Sequence, residues 1–237
     1  MALLLLTLGA VSGPSAQAAT SASIAASLSP NRLAARSALT VTVDYRNEAL
    51  GEPSPVVKAV VRLPAGMSLD MPSLHSCTAA RLMTHGASGC PQRSQLGHGH
   101  ALAETLDGSQ TLRENISLRV FLGPPENLSP TFYVLAQGTT PVQEQLVFSG
   151  SVRSDVAPYG ERLAMSIPAV PSLPTEPDAS LANLAITIGS NTRGRSHGLA
   201  SIRVPHSCPA GGFPFAAEFT YLEGARGSAL TKIPCPR

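Results

Sequence analysis

An all-β fold of β-sandwich architecture is what this sequence predicts, on three observations. Short apolar runs that alternate with polar residues recur along most of its length, the period-2 pattern of half-buried strands. Twenty-one prolines and 20 glycines punctuate those runs at turn-like spacing. Good helix material is confined to one brief stretch between two of the four cysteines. The 237 residues, 43% of them hydrophobic, suffice for one large or two small cores. Aromatic residues make up only 4% and tryptophan is absent, which again favours short strands and turns over long helices. A net charge of +2 is too weak a basic field to point to nucleic acid.

Ala2 to Val11 is a short apolar run, followed by Gly13-Pro14 and the small-x-small site Ala16-Gln17-Ala18, so residues 1–18 read as a secretory signal peptide. The positively charged start of such a signal is missing, which fits a start codon placed too late or a weakly anchored helix. About ten apolar residues fall short of the roughly 20 that span a bilayer. The mature chain is therefore expected to carry no integral membrane span and to be secreted or held at the cell surface.

Export makes the four cysteines informative, because disulfides persist outside the cytoplasm. Three pairings are possible. The local one, Cys77 with Cys90 and Cys208 with Cys235, is favoured because each pair brackets a self-contained segment, and each bond contributes about 3 kcal/mol. Structural zinc is disfavoured, since neither pair has a two-to-four-residue spacing.

In chain order, Ser23 to Leu28 is the first expected strand, ended by Ser29-Pro30-Asn31. Ala38 to Tyr45 alternates cleanly, with Leu39, Val41, Val43 and Tyr45 inward. After the Gly51-Glu-Pro-Ser-Pro55 loop, Val56 to Leu63 resumes as a strand with Lys58 and Arg62 on one face, and Leu63-Pro-Ala-Gly-Met67 turns the chain. Thr78 to His85 is the helix, capped by Ser76 or Thr78 and ended by Gly86.

Ser94 to Glu104 has alternating small residues, as in a strand that packs closely on a neighbour or carries a bulge. Asp107-Gly108 makes the next turn. Asn115 to Leu122 points Ile116, Leu118, Val120 and Leu122 one way. Thr131 to Ala136, Gln143 to Val152 and Arg162 to Ile167 follow, the last alternating imperfectly. Pro168 to Asp178 is an irregular, proline-rich connection. Its Leu173-Pro-Thr-Glu176 shares residues with a cell-wall sorting signal but lacks the final glycine, and reads as linker. Leu181 to Ile188 and Leu199 to Val204 precede the C-terminal hairpin. There Phe213, Phe215, Ala217, Phe219 and Tyr221 share one face of a strand, paired with Ala229 to Ile233 and tied by Cys208 and Cys235.

Leu63-Pro-Ala-Gly-Met67, Cys77 to Cys90-Pro91, Ser94-Gln-Leu-Gly-His-Gly-His-Ala101 and the closing Cys208-Pro-Ala-Gly-Gly-Phe-Pro-Phe215 with Pro234-Cys-Pro236 together resemble a group of secreted actinobacterial proteins akin to immunoglobulin-like surface repeats. The resemblance covers nearly the whole mature chain, and its cysteine-flanked hairpin is the most specific part. It implies an immunoglobulin-like β-sandwich, or two, with one short helix and two local disulfides. It implies no activity and carries over no catalytic or binding residue.

Ser-x-x-Lys and His-Glu-x-x-His motifs and glycine-rich phosphate loops are absent from the sequence. Gly97-His-Gly-His100 puts His98 and His100 on one face of a strand, where they could share a metal with His75 or His85. The preferred reading is two polar residues on a solvent face. His197 and His206 are lone histidines in turn-like surroundings. The scattered acidic residues give neither a calcium loop nor a paired-carboxylate site. The aromatic face could meet a carbohydrate or a protein, but buried core is the preferred reading.

The domain division expected is a signal peptide at 1–18, an N-terminal immunoglobulin-like domain at 19–105 and a C-terminal β-sandwich at 106–237, with one cysteine pair in each half. The expected function is that of a non-enzymatic exported protein with a structural, adhesive or binding role, without cofactor or metal. Its alternative is an extracellular enzyme or carbohydrate-binding module with a site assembled from distant loops. No partner is named by the sequence; a cell-surface or extracellular protein or glycan is the compatible class.

Overall fold

The computed structural model describes residues 20–47, 51–71, 74–108, 110–140, 144–170, 178–189 and 200–236. The expected signal at 1–18, Leu173 to Glu176 and His197 lie outside the described residues. Among the described residues, thirteen strands, one α-helix and two short 3-10 helices make up the regular structure. The strands are β1 (Ser21–Ser29), β2 (Arg36–Arg46), β3 (Val56–Pro64), β4 (Ser68–Asp70), β5 (Gln95–Asp107), β6 (Gln110–Leu122) and β7 (Thr131–Thr140). After these come β8 (Gln145–Ser154), β9 (Tyr159–Ser166), β10 (Ser180–Ile188), β11 (Ser201–Arg203), β12 (Phe213–Tyr221) and β13 (Arg226–Ile233). The helix, α1 (Ala79–His85), follows β4.

All pairings are antiparallel, and the strands form one sheet in the order β13-β12-β3-β9-β8-β7-β6-β5-β10-β2-β11-β4, with β1 on β2. The β13 end of this path meets β1. Ile24 of β1 packs in one cluster with Phe219 and Ala229, and Leu28 in another with Phe213 and Ile233. In place of two separate layers, one continuous antiparallel sheet curls until two of its stretches face each other. Tyr45 of β2 and Phe219 of β12, from opposite stretches, meet edge to face at 5.1 Å.

Local chemistry explains the elements. Asp107 pairs with Gln110 across a two-residue turn in which Gly108 has φ +60°, a conformation that glycine adopts freely. Gly97 and Gly99 allow β5 and β10 to approach closely, since a Cβ at either would lie 2.2 Å from the Thr187 or Ala185 carbonyl oxygen. The close packing expected from the small residues of Ser94 to Glu104 is therefore present. Helix α1 is capped by Thr78, whose Oγ1 accepts from Arg81 N–H at 3.4 Å, and ends at Gly86 with φ +59°.

Both local disulfides are formed. Cys77 bonds to Cys90 and Cys208 to Cys235, with Cα separations of 5.5 Å and 5.8 Å. The first holds α1 against the outer face of the sheet, where Leu82 packs with Phe121 and Leu135. The second closes the β12–β13 hairpin. That hairpin's aromatic strand is not an edge, since β12 lies between β13 and β3.

The sheet takes no account of residue 105. Strands from before residue 105 are inserted among those after it: β2 pairs with β10, β3 with β9 and β12, and β5 with β6. The division expected there does not correspond to any division of the sheet, because hairpin β5–β6 runs straight across it.

Candidate functional site

The inward faces enclose a hollow of about 480 Å³. Its walls are apolar and mostly aliphatic, with Val41 and Val43 of β2, Val61 of β3, Ile116 and Leu118 of β6, Leu163 and Met165 of β9, and Leu184, Ile186 and Ile188 of β10 joined by the rings of Phe132 and Phe148. Every residue of β10 after Ser180 is only half-buried, so inward-facing leucine and isoleucine side chains border free volume instead of meeting a partner. Interiors normally close-pack with few voids larger than a water molecule, which makes this volume a property of the fold to be explained.

The sequence supplies the reason. Six phenylalanines and four tyrosines are the only large rings available. Phe213, Phe215, Phe219, Tyr221 and Tyr45 are concentrated where β1 and β2 face β12 and β13, and there the interior is filled. Elsewhere only Phe132 and Phe148 supply rings, and the other facing positions hold Val41, Val61, Ala101, Ala136 and Leu184, side chains too short to bridge the two stretches.

One end of the hollow is closed. Leu69 of β4 and Ile202 of β11 line it there, and those two strands pair with each other and with the start of β2. Asp70 anchors the closure through Arg36 at 2.9 Å and Arg203 at 3.4 Å. Glu161 accepts from Leu69 N–H at 3.1 Å, and burial raises the pKa of its carboxyl group. The opposite end is rimmed by Thr105, Glu114, Glu144 and Ser180. Glu114 accepts from Thr139 N–H at 2.7 Å. Thr105 Oγ1 is buried there and makes no hydrogen bond among the described residues, an unmet polar group at the boundary of an apolar space. Burial also raises the pKa of the hydroxyls of Tyr45, beside Tyr221, and of Tyr221, keeping both neutral.

Outside, polarity reverses. Lys58, Arg62, His98, His100, Arg119, Arg153, Arg162 and Glu218 alternate with the inward residues on their strands. This is the inverse of a membrane barrel, whose outer band is apolar and whose lumen is polar.

Among sequence-derived candidates, His98 and His100 share the outer, solvent-exposed face of β5, opposite Arg119 and Ser117. Among the described residues no group of three or more histidine, cysteine or acidic side chains is placed to hold a metal. His206 is exposed after β11. The aromatic face of Phe213, Phe215, Phe219 and Tyr221 is buried core. Sequence reasoning passed over the hollow, although the uneven distribution of rings along the chain was a visible sign of it.

No family model matches the chain, and neither a curated protein nor a solved structure is significantly similar to it. What fold and site define is a class: a disulfide-stapled antiparallel β protein whose single sheet curls around an apolar hollow.

Proposed function

We propose that this is a non-enzymatic binding protein that holds an apolar small molecule inside its sheet. The observation that carries the reading is the hollow itself, whose volume lies in the roughly 300–1,000 Å³ range of small-molecule sites. Leaving leucine, isoleucine and valine side chains unpacked forfeits dispersion contacts that a bound hydrocarbon would restore. The few polar groups sit at the rim, where they could orient one polar end of an otherwise apolar ligand. An exported or cell-surface location belongs to the same proposal and is supported by the two disulfides. So does an immunoglobulin-like relationship, for which the antiparallel all-β content speaks, although the strands follow one continuous path.

Titration with the neutral apolar fluorophore N-phenyl-1-naphthylamine tests this. One saturable site per chain is expected. Leu184→Trp, which puts an indole into the hollow, should weaken binding at least tenfold while the melting temperature holds or rises. Absence of saturable binding, or affinity unchanged in both Leu184→Trp and Val61→Phe, would overturn the reading.

A further inference from the structure

On the outer surface, away from the hollow, the strand register assembles three arginines. Arg62 of β3 stands directly opposite Arg162 of β9, and Arg162 directly opposite Arg153 of β8. Adjacent strands lie about 4.8 Å apart, so the row crosses about 10 Å of sheet with guanidinium groups on neighbouring positions throughout. Like charges directly opposite one another destabilise a sheet, and an unliganded protein gains nothing from such a row.

The acidic residues nearby offset only part of it. Arg62 is engaged by Asp155 at 2.6 Å and Glu218 at 3.0 Å, and lies over the Tyr159 ring at 5.9 Å. Arg162 and Arg153 have no carboxylate partner among the described residues. Both line a groove of about 510 Å³, together with Lys58, which stands opposite Ser166 two positions along the same face, beyond Val60. Hydroxyls of Ser149 and Ser151 complete its floor, beside Thr131, whose own hydroxyl donates to the Pro124 carbonyl at 2.6 Å, and Glu126 and Glu218 stand on its rim. Arginine forks match tetrahedral oxyanions through paired N–H groups, and the serine hydroxyls can donate to the remaining oxygens.

We infer that this groove binds a ligand bearing phosphate or sulfate groups, with Arg162 and Arg153 as the principal contacts and Lys58 as a third cation. The length of the row favours two linked oxyanions over one. Tight pairing of Arg62 with its two carboxylates makes that residue the fixed end of the row, which holds the groove's shape.

Calorimetric titration of the full chain at low ionic strength with inorganic phosphate, pyrophosphate and sulfate tests the inference. Pyrophosphate should bind once per chain, at least tenfold tighter than phosphate and progressively weaker as salt is raised. Arg162→Gln and Arg153→Gln should each reduce that affinity at least tenfold, whereas Arg119→Gln, on the same outer surface but outside the row, should not. Without ligand, Arg162→Gln should keep or raise the melting temperature, because it removes the middle of a repelling row. A comparison with sulfate separates the two sources: equal binding assigns a site for either oxyanion, and preference for one names it. No heat with any of the three anions at millimolar concentration, or pyrophosphate affinity unchanged in both arginine variants, overturns the site.

Discussion

Glu161 stands on the inward side of β9, in alternation with Leu163 and Met165, where an acid has little business. Its carboxylate is held by Leu69 N–H, yet burial outweighs that bond and raises its pKa above the ordinary 4.5. A raised acid pKa means that the folded state favours the protonated form. The group's stabilising contribution is therefore full below its unfolded value and is lost as pH rises through the folded one. Glu161→Gln, which can still accept from Leu69, should accordingly raise the melting temperature by a few degrees at pH 7, and the gain should vanish at pH 4. Thermal scans of both proteins across that range check it; a gain that grows towards low pH contradicts it. At this scale the sequence was partly readable. Gly97 and Gly99 announced a close strand neighbour, and the Phe213 to Tyr221 alternation announced a buried face. Glu161 gave no sign, because the expected strand began one residue later and its apolar positions alternated imperfectly.

At the level of elements, the stapled excursion shows what short-range chemistry can and cannot specify. Thr78, Gly86 and the flanking cysteines mark the helix and its limits through interactions within a few residues, so α1 was legible. Its landing place was not, since Phe121 and Leu135 belong to strands that become neighbours only once the sheet forms. Gln145 adds a second tie, donating to the Leu82 and Met83 carbonyls at 3.1 Å each. Leu82 is fully buried, so Leu82→Ala should destabilise by about 2–5 kcal/mol. Hydrogen exchange should show lost protection at Leu82 and Leu135, with Phe213–Tyr221 retaining theirs until global unfolding. Uniform loss along the chain would mean that the excursion is integral to the sheet and not an applied cover.

For the whole molecule, period-2 alternation fixes which residues share a face and leaves open which strands are neighbours. That is why strand content was legible and the single path was not: β3 finds β12, and β2 finds β10, across most of the chain's length. Limited proteolysis checks the consequence. Because strands from both sides of residue 105 are interleaved in one sheet, the protected product should span both, under reducing and non-reducing conditions alike. Two stable fragments parting near that residue would restore separate domains.

The meeting of β1 with β13 carries a further implication, for the order of assembly. These are the first and last described strands, and each has a single ladder partner, β2 and β12 respectively. A chain emerging N-terminus first must carry Ile24 and Leu28 without their eventual neighbours until Ile233 arrives, because the clusters that bury them are completed only by the final hairpin. Such non-local closure slows folding and prolongs the exposure of unpaired strand edges. The seam that seals the interior is therefore also its point of greatest vulnerability during synthesis, when self-association through β1 competes with the arrival of the last strand.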